Sequence, residues 1–304
     1  MGVRLYREPP LTKPVLFCGW PGIGNIGIIA IETLREVLRA QRFGQIEPWE
    51  FFYPQKVVIQ DGLLKDLQFP RNTFYFRHLR GQDVIFFIGE QQTSEAAHYA
   101  EGQKAFQLAN LVLDVAEQFG CRRVYTSGAA VTQIHHTSRP RVWAVPNSSA
   151  LIDEIRGYDN TVLMSQIERR GGHGSITGLN GLMLGAARRR GFEAICLMGE
   201  IPYYLQASPW PYPKASKAVL EVLAKNLGLK LDFAKMDELA QTVEQSIEDF
   251  LERLQSADGV PSEVVEQIDR LKEAEHAIPG PITEEEQKRI MEHIDDLFNQ
   301  ERGK

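Results

Sequence analysis

Four short apolar runs that lead into glycine constrain this chain more than any other feature. Residues 15–18 run into Gly19-Trp20, residues 84–88 into Gly89-Glu90, residues 124–126 approach Gly128-Ala129, and residues 194–198 run into Gly199-Glu200. Runs this short and continuously apolar suit strands buried on both faces. Helical patterns separate them, notably over residues 28–40, 95–119 and 179–190, where apolar residues recur every three or four positions. Strands alternating with helices predict a three-layer αβα architecture around a mainly parallel sheet. The glycine ends then share one sheet edge, where ligands of such folds usually bind.

Between the first two strands lies a β-rich stretch. Residues 56–60 and 63–69 flank Asp61-Gly62, a strong signal for a two-residue hairpin turn, and residues 74–76 add another strand; residues 142–145 read as one more. After Leu231 the texture changes. Residues 1–231 carry 26 Lys/Arg against 20 Asp/Glu, whereas residues 232–304 carry 8 against 20, a net −12. The chain therefore divides into an α/β body, 1–231, and an acidic helical extension, 232–304. Within the extension Met236, Leu239, Val243, Ile247, Phe250 and Leu254 form one apolar stripe, and a second helix spans 262–275. After Pro279-Gly280-Pro281, Thr283 and Glu286 make a capping box for a third helix carrying Ile290, Ile294, Leu297 and Phe298.

Composition excludes several classes. No apolar run approaches the ~20 residues of a membrane helix, and the first residues show no apolar signal core, so a cytoplasmic protein is expected. An acidic tail repels phosphate, which argues against nucleic acid as a partner. Cys18, Cys121 and Cys196 are isolated in apolar surroundings and read as buried small hydrophobes, and His135, His136 and His173 lack a partner at metal-ligand spacing, so no metal is expected.

Two glycine clusters invite a functional reading. Gly22-x-Gly24-x-x-Gly27 lies between a strand and a helix, as a dinucleotide fingerprint requires, and Glu47 or Glu50 stands near the distance of the confirming acid. Pro21, Pro48 and Pro54 interrupt such a unit, so a tight structural turn is the competing reading and no cofactor is assigned. The second cluster, Gly171 to Gly181, includes Gly174, Gly178 and Gly181 and opens a helix without the Lys-Ser/Thr of a P-loop. It serves either an anion at the helix N-terminus or close helix packing. Glu90 and Glu200 would make a carboxylate pair if their strands were neighbours; otherwise each accepts hydrogen bonds at a helix N-terminus. Trp20, Asn25, Glu90, Gln91, Asn180 and Glu200 are the candidate ligand edge, and no catalytic residue is assigned. The aromatic segment Tyr203, Tyr204, Trp210 and Tyr212 has the composition of a partner or oligomer contact, as do Ile290, Ile294, Leu297 and Phe298 in the tail.

The segments Gly19-Trp20-Pro21-Gly22-Ile23-Gly24-Asn25-Ile26-Gly27, Ile88-Gly89-Glu90-Gln91-Gln92, Gly128-Ala129-Ala130, Gly174 to Gly181 and Leu197-Met198-Gly199-Glu200, in this order and with the Asp61-Gly62 hairpin, resemble the archaeal and bacterial branch of the proteasome-assembly-chaperone 2 family over about residues 13–250. The resemblance implies a fold like that of the nucleoside phosphorylase/hydrolase group, homo-oligomers of three or more chains, and a chaperone-like scaffold with a proteasome-related protein partner. It supplies no established catalytic residues. Some archaeal members present a C-terminal hydrophobic-Tyr-x tail to the proteasome, whereas this sequence reads Glu301-Arg302-Gly303-Lys304 at its end, so docking by that route is not expected. The alternative is a small-ligand or nucleotide-binding enzyme, related to ATP-grasp ligases or nucleoside hydrolases, working at the glycine edge.

Overall fold

A computed structural model describes residues 2–95, 98–99, 102–164, 175–256, 268 and 270–272. In chain order the elements are β1 (Val3–Leu5), β2 (Val15–Gly19), α1 (Ile26–Val37), β3 (Gln41–Ile46), β4 (Lys56–Gln60), β5 (Leu63–Gln68), β6 (Asn72–Arg77), β7 (Val84–Gly89), β8 (Ser94–Glu95), β9 (His98–Tyr99), α2 (Gln103–Gln118), β10 (Arg123–Thr132), β11 (Val142–Pro146), α3 (Ile152–Arg156), β12 (Thr161–Leu163), α4 (Gly178–Arg189), β13 (Glu193–Pro202), α5 (Pro213–Asn226) and α6 (Ala234–Ser256).

Nine strands form one sheet in the order β1-β3-β6-β7-β2-β10-β13-β11-β12. The expected parallel sheet is its centre: β7, β2, β10 and β13 run parallel, while β6 joins β7 and β11 joins β13 antiparallel. Alternate side chains of each central strand feed two cores. Phe17, Phe86 and Leu197 point to the face covered by α1, α5 and α6, and Cys18, Phe87 and Cys196 to the face covered by α2 and α4. These are the three expected layers, and all three cysteines are buried.

Two strands were longer than the sequence indicated. β10 and β13 pass through Gly128 and Gly199 and continue to Thr132 and Pro202. Pairing supplies the reason, since residues 129–132 and 199–202 bond to each other in register and β11 covers the far side of β13. The Asp61-Gly62 hairpin is present as expected, with φ of +53° and +77° at its two turn residues, and β4 and β5 form a sheet of their own.

Apolar contacts run across the charge boundary at Leu231. Met236, Val243, Ile247 and Phe250 of α6 belong to the α1/α5 core, and Ile268 beyond it is buried there too. Leu239, expected on the same stripe, is exposed instead. Ile290, Ile294, Leu297 and Phe298 lie outside the described residues.

One contact sets how closely α1 can approach the sheet. A Cβ on Gly27 would overlap the carbonyl carbon and oxygen of Ser127 in β10, so any larger residue must lift α1 off the sheet. Gly185, exposed in α4, faces open space instead. Gly27→Ala is therefore expected to lower stability by ~2 kcal/mol or more, whereas Gly185→Ala should raise it by ~0.5–1 kcal/mol through helix propensity. Denaturant unfolding of the two variants checks the opposite signs.

Candidate functional site

The glycine edge is assembled by three connections. In the loop after β2, Gly24 has φ of +57° and Asn25 of +50°, and the Gly24 carbonyl accepts a bond from the Tyr212 amide at 2.7 Å, which ties the loop to the start of α5. A Cβ on Gly24 would meet Ile201 and Tyr212 at 3.0 Å. Gly22, by contrast, is extended and has room around it, so only Gly24 and Gly27 are required by backbone geometry. Gln92 then links the loop to α4: its Nε2 donates to the Pro21 carbonyl at 2.6 Å, and its Oε1 accepts from the Leu179 amide at 2.9 Å. Gly178 and Gly181 bring the first turn of α4 against Gln92 and the Ile176 carbonyl, which is the close-packing reading of that cluster. Gly174 and His173 lie outside the described residues.

This geometry does not deliver a dinucleotide unit. The strand after α1 is β3, separated from β2 by β6 and β7, so Glu47 sits three strands away, or ~14 Å at ~4.8 Å per strand. The acid that would hold a ribose cannot reach the glycine loop.

Glu90 and Glu200 do not pair either, because β2 and β10 stand between their strands. Each clamps the arginine that precedes its antiparallel neighbour. The Glu90 carboxylate accepts from the Arg71 backbone amide at 2.8 Å and its Nε at 2.5 Å; Glu200 accepts from the Arg141 amide at 2.8 Å, its Nη2 at 2.9 Å and Trp143 Nε1 at 2.8 Å. The two Gly-Glu endings thus perform one task, fixing where β6 and β11 start. Both readings offered by the sequence, a carboxylate pair and helix N-terminal caps, give way to this one.

The remaining edge residues are dispersed. Trp20 is buried against Phe87, with ring centroids 5.4 Å apart, and faces Gly89; Asn180 is buried beside Gly128; Asn25 and Gln91 are exposed. Gln92 rather than Gln91 turns inward. No periodicity continues past the strand end to distinguish the two. Buried Trp20 Nε1, Ser127 Oγ and Asn180 Oδ1 make no hydrogen bond within the described residues. Two cavities lie elsewhere, one of about 160 Å³ at the opposite sheet edge around Arg123, Tyr125 and Tyr158, the other of about 700 Å³ beside β11 and the end of α4. No cluster of His, Cys, Asp or Glu with metal-site geometry occurs among the described residues, and no described helix is long and apolar enough to cross a membrane.

The aromatic segment is not a surface. Tyr203, Tyr204 and Tyr212 are buried in the chain's own core, and Trp210 packs edge-on against Phe250 of α6. Its rings enclose a polar hub. The Tyr204 hydroxyl accepts from the His136 amide and contacts His136 Nδ1, both at 2.9 Å, while Lys214 donates to the His136 and Thr137 carbonyls and to Glu244 of α6. His136 is therefore a buried hydrogen-bonding residue. Burial first, then the neighbouring His135 and Lys214, pulls its pKa down to about 3.

A family model described as the PAC2 family matches residues 16–251. The chain belongs to the PAC2 family. An uncharacterized protein of Methanocaldococcus jannaschii is 29% identical over 240 residues, covering 79% of this chain and 83% of that protein. Among solved structures, Pyrococcus furiosus PbaB, an archaeal proteasome activator, matches with 27% identity and a TM-score of 0.68 over 82% of this chain and 97% of its own. P. furiosus PbaA, an archaeal homolog of proteasome-assembly chaperone, matches with 21% identity and a TM-score of 0.61 over 90% and 98%. The latter likeness is one of fold.

Two expectations follow for the PAC2 site. Arg71 is 75% exposed whereas the Glu200 side chain is fully buried, so Glu90→Ala should cost under ~1 kcal/mol and Glu200→Ala ~3 kcal/mol or more, measured by urea unfolding. His136 contributes stability in full above its unfolded pKa of ~6.5, and that contribution is lost as pH falls towards about 3. Thermal midpoints should drop between pH 7 and pH 5, and His136→Asn should show a smaller drop over the same interval.

Proposed function

We propose that this chain is a non-enzymatic, chaperone-like scaffold that self-associates and holds a protein partner related to the proteasome. Membership of the PAC2 family over residues 16–251, with a likeness to PbaB that covers 82% of this chain and 97% of PbaB, carries the reading. The site chemistry agrees with it. Glu90 and Glu200, the candidate-edge carboxylates, are each committed to an arginine, and Gln92 and the Gly24 carbonyl are engaged in joining the loop after β2 to α4 and α5. Such an edge holds a shape, and among the described residues it sets no acid opposite a base.

The test is affinity capture of the tagged full-length chain from native lysate, with quantitative mass spectrometry against an unrelated tagged control. Proteasome subunits or their precursors should be enriched; their absence, with other proteins recovered, would overturn the partner reading. A parallel thermal-shift screen of nucleotides, nucleosides and divalent metals should be flat. A ligand at a hundred times its dissociation constant stabilises by ~2.7 kcal/mol, so a clear rise would instead identify a small-molecule site.

A further inference from the structure

The β4–β5 hairpin presents apolar surface that the body does not cover. Of twelve large apolar side chains exposed among the described residues, seven fall between positions 49 and 67: Trp49, Tyr53, Val57, Ile59, Leu63, Leu64 and Leu67. The hairpin is rooted by buried Phe51 and Phe52 and by the Trp49–Phe69 ring contact, but its strands pair only with each other. A two-stranded ribbon alone in water is marginal.

Its register is what gives the apolar residues a common face. Val57 pairs with Leu67 and Ile59 with Leu64, and a bulge at Lys65 separates the two pairs. In an unbroken ladder Leu64 and Leu67 would point to opposite sides, since side chains alternate. The bulge shifts the register so that Val57, Ile59, Leu64 and Leu67 share one side, without a charge among them, at 43–69% exposure. Lys56, Gln60, Asp66 and Gln68 take the other side together with Val58 and Leu63. A ladder interruption that gathers four apolar side chains into solvent has a physical reason when something covers them.

We infer that this face is the self-association surface, covered by the same hairpin of a second copy meeting it around a rotation axis; the inference rests on the oligomeric reading above and replaces the aromatic segment as its contact. Two observations select a second copy. The ribbon's charges cancel, with Lys56 and Lys65 against Asp61 and Asp66, so like ribbons meet without net repulsion, whereas the chain's own tail, at −12, finds no net positive charge there. The exposed apolar side chains are also concentrated on this ribbon and its root, so the best complement to one copy's patch is another copy's. The four side chains of this face supply the apolar centre of an interface, to which one partner contributes ~800 Å² in a standard case.

The experiment uses the full-length protein at micromolar concentration. Light scattering should give a multiple of the 34.4 kDa chain mass, and Ile59→Glu/Leu64→Glu should return to the single-chain mass with a native circular dichroism spectrum. In the same solution, Ile59→Cys, Leu64→Cys and Leu67→Cys, treated with diamide, should yield a covalent dimer from at least one variant; Cys18, Cys121 and Cys196 are buried and contribute none. A wild-type protein of single-chain mass would overturn both the oligomeric reading and this surface. An assembly that survives the glutamate pair, or three cysteine variants that all stay uncrosslinked, would overturn the surface alone. Should the glutamate variant fail to fold, the cysteine series decides.

Discussion

The rest of the structure depends on backbone meeting backbone where α1 lies on β10. With Gly27 seated on the Ser127 carbonyl, α1 approaches the sheet to the limit that glycine permits. That closeness fixes the height of the preceding loop, whose Gly24 carbonyl receives the Tyr212 amide and so sets the start of α5. Gly199 of β13 repeats the theme on the same face, where Ala215 of α5 and Ile26 of α1 leave no space for a side chain. Two helices are thus docked on the parallel centre, α1 through its own Gly27 on β10 and α5 through Gly199 of β13. An interior packed this densely tolerates few volume changes.

Once the centre is set, the two Gly-Glu endings extend it in both directions. Glu90 and Glu200 occupy equivalent places at the outer parallel strands β7 and β13, and each holds an arginine at the start of the neighbouring antiparallel strand. The buried member is the more consequential because its partners cannot be replaced by water, and removing one side of a desolvated pair leaves the other uncompensated. An edge organised for this purpose differs from the ligand edge of a doubly wound nucleotide fold, where main-chain amides are left free for a phosphate. Here the Leu179 amide at the start of α4 is already taken by Gln92.

At the β10–β11 connection lies the polar hub of His136, Tyr204, Lys214 and Glu244. It joins the β10–β11 connection to α5 and α6, and so brings an acidic helix onto a body of opposite net charge. Lys217 to Asp237 adds a second tie between the same helices. The aromatic rings around the hub exclude water, which strengthens its hydrogen bonds and keeps His136 neutral.

The sequence by itself determined the central strands, the helices between them, the Asp61-Gly62 turn and the burial of the three cysteines, because each is a local matter of periodicity, turn chemistry or apolar surroundings. The PAC2 resemblance was equally legible, carried by glycines whose spacing records close approaches. Strand order was not legible, since pairing is a relation between distant segments; it decided that Glu90 and Glu200 are separated and that Glu47 lies far from the glycine loop. Nor could composition tell a buried aromatic segment from an exposed one: Tyr203, Tyr204 and Tyr212 turned inward because His136 and Lys214 gave the Tyr204 hydroxyl and the loop carbonyls partners inside the molecule. The hairpin went the other way. Its turn was written in two residues, but the bulge at Lys65 that sets Leu64 and Leu67 on one face depends on how two strands register, and only the tertiary structure settles that.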